Sequence, residues 1–230
     1  MGYFSSKIKG ELILKRIIEE TGDGSKTIFI PELDERYHSK HGAYQEAIHV
    51  FIEAGLKHQN SDEISILEIG FGTGLNALLT FKEAENTQQK IKYMGLEAFP
   101  VTLEMALQMD YTNNPMQLDV FEAMHQCPWN IWCQISDTFT LNKQEQKLEN
   151  FDTEHLFDVI YFDAFGPRVQ DAMWGAEVFD KMFELLHPGG ILCTYCAKGS
   201  VRRNMIAAGF LVERLPGPPG KREMLRAIKL

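Results

Sequence analysis

The sequence has 230 residues, with 23 Lys and Arg against 32 Asp and Glu, a formal net charge of −9, and 44% apolar and 24% charged residues. That balance excludes dominant disorder, and the length predicts one domain with a core large enough to need no disulfide staples. No run of about 18 uncharged apolar residues occurs, so no membrane-spanning helix is expected.

The start, MGYFSSKIKGELILKR, has no apolar signal core, and four Cys are too sparse for a disulfide scaffold; both predict a cytoplasmic, reducing location. Residues 1–42 are expected to form a small N-terminal extension. The turn-rich stretch 21–27 separates two predicted strands, 12–18 and 27–30. Residues 43–230 form the main domain. A helix is expected over 43–58, where Ile48, Phe51, Ile52 and Leu56 recur at helical spacing.

Ser65–Ile69 reads as a buried strand, Gly70–Gly74 as a glycine turn and Leu75–Ala84 as a helix, the opening of a βαβ unit. A strand over Ile91–Leu96 and a helix over Pro100–Met109 follow, with Pro at the helix start. Further along, a helix is expected near 117–126 and strands at Trp132–Ile135, Thr138–Leu141 and Phe157–Phe162. A helix over Glu177–Leu186 ends at His187-Pro188-Gly189-Gly190. Ile191–Cys196 is a strand, Ser200–Ala208 a helix, and Leu211–Leu215 pairs antiparallel with Met224–Ile228. Strands alternating with helices predict an α/β fold with a mostly parallel sheet covered on both faces.

The most informative local pattern is Glu68-Ile69-Gly70-Phe71-Gly72-Thr73-Gly74. A dinucleotide loop wants G-x-G-x-x-G, which would need Gly at position 75, where Leu stands. The E-x-G-x-G-x-G spacing instead resembles motif I of class I S-adenosylmethionine-dependent methyltransferases. Glycines there let backbone approach a ligand closely. Glu97 ends the second strand of the unit, 23 residues past Gly74, where a carboxylate can accept hydrogen bonds from ribose hydroxyls. By this resemblance the cofactor-binding candidates are Glu68, Gly70, Phe71, Gly72, Thr73, Gly74, Asn76, Glu97 and Ala98.

Later segments narrow the resemblance. Asp163-Ala164-Phe165-Gly166-Pro167, Met173-Trp174, Pro188-Gly189-Gly190, Val201-Arg202-Arg203, Ala208-Gly209-Phe210 and Lys221-Arg222-Glu223-Met224 follow in order. Tyr37-His38-Ser39, Gly42 and Glu46 precede them. The set resembles the methyltransferase domain of the bifunctional tRNA-modifying enzymes that make 5-methylaminomethyl-2-thiouridine, over roughly residues 25–230. It implies a seven-stranded class I fold, S-adenosylmethionine as cofactor, and a tRNA wobble uridine carrying an aminomethyl group as substrate. Those enzymes also have a flavin oxidase domain after the methyltransferase. No oxidase activity is expected here, and a separate partner would supply that step. The Gly-Asp pair usual for the adenine pocket is replaced by Leu141-Asn142-Lys143-Gln144-Glu145-Gln146, so Gln144 or Glu145 is the candidate contact.

Asp163, at a strand's carboxyl end, is the candidate catalytic residue. Its carboxylate can orient the amine; removal of the proton as a general base is left open. Phe165 and Trp174 could stack on a flipped base, although Trp174 is equally compatible with core packing. Pro167 belongs to the same loop. Lys198, Arg202, Arg203, Lys221 and Arg222 are candidate phosphate contacts. With Arg214, Arg226 and Lys229, and against Glu213 and Glu223, they give the segment from Cys196 to Leu230 a charge of +6, leaving −15 elsewhere.

No metal is expected. Cys193 and Cys196 fall three apart on a predicted strand and face opposite ways, and His38, His41, Glu46 and His49 belong to the family-like N-terminal stretch. Two other readings stay open: methylation of another amine or small molecule, and cofactor binding without turnover.

Overall fold

The computed structural model describes residues 14–230. Its centre is an eight-stranded sheet. In chain order the strands are β4 (Glu63–Ile69), β5 (Lys90–Glu97), β6 (Trp132–Gln134), β7 (Phe139–Glu145), β8 (Phe157–Phe162), β9 (Leu186–Thr194), β10 (Leu211–Pro216) and β11 (Glu223–Ile228). The spatial order is β10-β11-β9-β8-β4-β5-β7-β6. The five inner strands from β9 to β7 run parallel, and β11, β10 and β6 are antiparallel to their neighbours. Residues 17–36 form a separate antiparallel sheet of β1 (Ile17–Glu20), β2 (Lys26–Ile30) and β3 (Glu35–Arg36). The strand expected over 12–18 is this β1, shifted two residues past that window's end; residues 12 and 13 lie outside the described residues.

The parallel strands are apolar on both sides because helices cover both faces. On β4, Ile64 and Ile66 join one core cluster while Leu67 and Ile69 join the other. Val159 and Tyr161 on β8 pair off against Ile160 and Phe162 in the same way. The first face carries α1 (Ala43–Ala47) and α2 (Leu75–Thr87), with α4 (Pro115–Gln126); the second carries α5 (Ala176–Glu184) and α6 (Gly199–Ala207). Cys193 and Cys196 are free, buried and divided between the two clusters, as their spacing requires. Cys127 and Cys133 are joined by a disulfide, a bond not anticipated from the cysteine count.

Several boundaries differ from expectation for local reasons. The 43–58 helix is broken: α1 passes into a π-helical stretch, Ile48–Glu53, and a 3-10 turn, Leu56–His58. The break falls at Gly55, where an added Cβ would stand 2.3 Å from the Phe51 carbonyl oxygen. The helix expected from Pro100 is the shorter α3 (Leu103–Leu107), because the Thr102 side chain caps it by accepting the Met105 N–H at 3.2 Å. His187-Pro188-Gly189-Gly190 does not end the helix, which stops at Glu184, but lies inside β9. The Gly189 N–H donates to the Lys229 carbonyl at 2.7 Å, and a register shift against β8 absorbs the extra residues. The predicted edge pair forms, with β11 inserted between β9 and β10. The short β6 brings the strand count to eight rather than seven.

Candidate active site

The carboxyl ends of β4, β5 and β8 meet at the glycine turn, where ligands enter open α/β sheets. Gly70 has φ +94°, and an added Cβ would stand 2.7 Å from the Asp163 carbonyl oxygen, so only glycine lets the two strand ends come this close. The Asp163 N–H donates to the Ile69 carbonyl at 3.0 Å, and the N–H groups of Gly70 and Phe71 both donate to the Leu96 carbonyl, at 2.9 and 3.0 Å. The glycine loop and the end of β8 are thereby tied together.

A polar chain runs beneath it. Glu68 is fully buried and accepts from Tyr93 Oη at 2.7 Å and Asn76 Nδ2 at 2.8 Å. The same Asn76 Nδ2 donates to Asp163 Oδ2 at 2.9 Å. Two carboxylate acceptors fix the amide's orientation, and its buried Oδ1 has no hydrogen-bond partner among the described residues. Burial pushes the Glu68 carboxyl well above its usual range. Burial first, and the nearby Glu46 charge second, push Asp163 up to about 7.

Glu97, at the end of β5, is half-buried. It accepts the Gly72 N–H at 2.9 Å on one oxygen and the Phe99 N–H at 2.8 Å on the other. A carboxylate offers about four lone-pair sites, so each oxygen retains one for an incoming hydroxyl. Ala98 follows it, and Gln144 lies on the adjacent β7, opposite Leu96, with its amide held by Asn142 and Gln146.

Not every candidate faces an opening. The Phe71 ring is buried under the loop, against Gly95. Thr73 is buried, bonded through Oγ1 to Tyr111 Oη at 2.8 Å, and its carbonyl meets the His125 ring at 3.1 Å. Glu68 and Thr73 thus shape the site from below. Trp174 is corrected from a stacking platform to a core residue: it is only 3% exposed, packs on Phe162 and Phe179, and its Nε1 donates to the Phe165 carbonyl at 2.9 Å. The Phe165 ring stands edge-on to Tyr37, 5.3 Å between centroids.

At the loop that follows β8 opens a pocket of about 410 Å³, lined by Pro167, Arg168, Tyr195, Lys198, Lys221 and Arg222 among others. Lys198 and Arg222 are exposed cations at its rim. Lys221 instead turns inward, ion-paired to Glu46 and 3.8 Å from the Tyr195 ring centroid. Arg202 and Arg203 lie on α6, outside the pocket lining.

Sequence reasoning missed Arg168, Tyr195 and Tyr37. Tyr37 and Glu46 carried a usable signal in the family-like N-terminal stretch, whereas Arg168 and Tyr195 reach the site only through the fold. The histidines diverge: His38 bonds Thr27, His41 packs on Gly220, and His49 meets the Pro216 carbonyl. No group of three His, Cys, Asp or Glu side chains among the described residues could hold a metal.

Residues 85–230 match the family model described as S-adenosyl-L-methionine-dependent methyltransferase. The chain belongs to the S-adenosyl-L-methionine-dependent methyltransferase family. The methyltransferase is 31% identical over 216 residues to the tRNA 5-methylaminomethyl-2-thiouridine biosynthesis bifunctional protein MnmC of Cupriavidus metallidurans, covering 86% of this chain and 32% of that protein. It is 30% identical to the protein of the same name from Cupriavidus necator, over 85% of this chain and 32% of the relative. It spans about a third of the length of these curated relatives. Among solved structures, MnmC2 from Aquifex aeolicus superposes with a TM-score of 0.78 at 22% identity, over 93% of this chain and 70% of that one. The CurJ carbon methyltransferase shares the fold at a TM-score of 0.50 and 16% identity.

The site fits the family's cofactor on its own geometry. The unpartnered Asn76 Oδ1 is an acceptor suited to an ammonium group, the open Glu97 lone pairs suit ribose hydroxyls, and Gly70 and Gly72 present bare backbone between them.

Proposed function

We propose that this methyltransferase methylates the primary amine of 5-aminomethyl-uridine or its 2-thio form at the tRNA wobble position. The observation that carries the reading is Asp163. It follows β8 directly at the cofactor loop, its own loop runs on to Gly166 and Pro167 in the lining of a pocket with cationic rim residues, and its carboxyl is pushed up to about 7. The matched MnmC relatives, named for tRNA 5-methylaminomethyl-2-thiouridine biosynthesis, support the same substrate.

When bound, S-adenosylmethionine supplies a methyl group already activated on a sulfonium. Glu97 holds the ribose, Asn76 Oδ1 the amino group, and the glycine turn leaves room for the rest. The main work left to the protein is to orient the amine and exclude water. Asp163 accepts a hydrogen bond from the amine, which aims the nitrogen lone pair at the methyl group. A carboxyl with a proton affinity near neutrality is also matched to taking the amine's proton as the new N–C bond forms. Asn76 holds Asp163 from behind by donating to Oδ2.

In this reading residues 14–42 are an extension that packs on the catalytic core, with Tyr37 beside Gly72 and Phe165. Lys198 and Arg222 take phosphates of the anticodon loop, whereas Arg168 is already paired with Glu35. A cytoplasmic location accords with a tRNA substrate; among the described residues no helix is long and apolar enough to cross a membrane. The test is a methyl-transfer assay offering, side by side, tRNA carrying aminomethyl-uridine, fully modified tRNA and small primary amines. Transfer to the first alone is expected; transfer only to free amines would replace the substrate assignment.

A further inference from the structure

A charge pair of a buried Glu46 and a half-buried Lys221 joins the N-terminal region to the far end of the chain, next to the pocket. Glu46, on α1, is 7% exposed. One of its oxygens accepts the Ser39 N–H at 2.9 Å; the other is ion-paired with Lys221 Nζ. Lys221 lies in the turn between β10 and β11. That turn is docked on the same region by the His49 ring at the Pro216 carbonyl, 2.8 Å away, and by the His41 ring against Gly220. The Lys221 ammonium also stands 3.8 Å from the Tyr195 ring centroid. The Tyr195 hydroxyl in turn donates to the carbonyl of Ala164, the residue after Asp163, at 2.8 Å. The pair is thus one aromatic ring away from the end of β8.

We propose that the Glu46–Lys221 pair tunes the charge state of Asp163, making both of them positioning residues of the methyl-transfer site. The inference rests on Asp163 acting as the amine's partner in the reading above. Of the groups around Asp163, Asn76 on α2 is neutral, and Glu68 on β4 lies behind it. The phenols of Tyr195, Tyr93 on β5 and Tyr111 are all pushed up by burial, so they stay uncharged. Glu46 and Lys221 are the opposite charges that remain. Glu46 raises the proton affinity of Asp163 and Lys221 lowers it. With Glu46 buried and Lys221 half-buried, these charges are screened less than in bulk water. Lys221 is therefore spent inside the protein and is not a phosphate contact, unlike Arg222 beside it.

The sign of each substitution follows. Glu46→Gln leaves the Lys221 cation unopposed and favours the Asp163 carboxylate. Lys221→Gln leaves the Glu46 anion unopposed and favours the protonated form. The double variant restores neutrality, and Lys221→Arg keeps the charge.

The experiment is a carboxyl-carbon NMR titration of the full chain with labelled aspartate, the Asp163 signal being identified by its loss in Asp163→Asn. Its midpoint is expected to fall by about half a pH unit or more in Glu46→Gln and to rise by as much in Lys221→Gln. It should return near the wild-type value in the double variant and in Lys221→Arg. Midpoints that stay put, or move the same way in both single variants, overturn the proposal. If one single variant does not fold, the other still reads the sign of its own shift, and a midpoint that stays put there overturns the proposal. The acid limb of kcat/KM on aminomethyl tRNA should follow the same order. Midpoints that move as expected without transfer to that tRNA would sustain the charge pair and remove the substrate assignment.

Discussion

At the scale of single residues, Asp163 is held in a costly state, and that cost is measurable. Its carboxyl, ordinarily near 3.8, is pushed up to about 7 by burial. The unfolded chain releases this proton more readily than the folded one, so the penalty is absent below about pH 4, grows between 4 and 7, and is full above 7. Asp163→Asn should therefore raise stability by about 1–2 kcal/mol at pH 8, with the gain vanishing near pH 4, while abolishing most turnover and leaving cofactor affinity intact. Paired thermal melts, calorimetry with S-adenosylhomocysteine and a transfer assay check all three; near-normal turnover would remove Asp163 from the chemistry. Gly70→Ala makes the opposite kind of change. A Cβ placed 2.7 Å from the Asp163 carbonyl, on a residue at φ +94°, should cost about 2 kcal/mol or more and weaken cofactor binding at least tenfold. Unchanged calorimetric affinity in a folded Gly70→Ala protein would show that the close approach of β4 and β8 is not needed.

At the scale of elements, Trp174 separates two roles that an aromatic in a substrate loop can have. Its Nε1 bond to the Phe165 carbonyl makes it a strut for the Asp163–Pro167 loop. Trp174→Phe should lower stability by about 1 kcal/mol in a denaturant titration and leave tRNA affinity unchanged, where loss of a stacking platform would cost affinity directly. The order of strand, glycine turn, helix, strand and acid around Gly70 and Glu97 was legible because each step has its own local signature. Glu68, by contrast, reads as part of the cofactor motif, yet it is fully buried and acts through Asn76. A motif position carries no information about which way its side chain points. The break at Gly55, the Thr102 cap and the strand through Pro188 depend on one contact each, which periodicity averages away. Arg168 and Tyr195 were invisible because nothing local marks them; the pocket exists only once β8, β9 and the β10–β11 turn are side by side.

At the scale of the whole molecule, charge is separated rather than summed. The net −9 would repel a polyanion, yet the segment from Cys196 onward carries +6 and places Lys198 and Arg222 at the pocket rim. Binding to tRNA should weaken steeply with salt. Arg222→Ala should reduce the log–log slope by about one and Lys221→Gln should leave it unchanged, since its charge is already paired. Equal slope losses in both would place Lys221 on phosphate after all. The proposed chemistry depends on the identity of the methyl acceptor. Purified protein, S-adenosylmethionine and tRNA bearing 5-aminomethyl-uridine at the wobble position, digested to nucleosides and weighed by mass spectrometry, decide it. Conversion of the aminomethyl nucleoside to its methylaminomethyl form is expected, and its loss in Asp163→Asn. An unchanged aminomethyl nucleoside, with the cofactor demonstrably bound, would contradict the proposed chemistry.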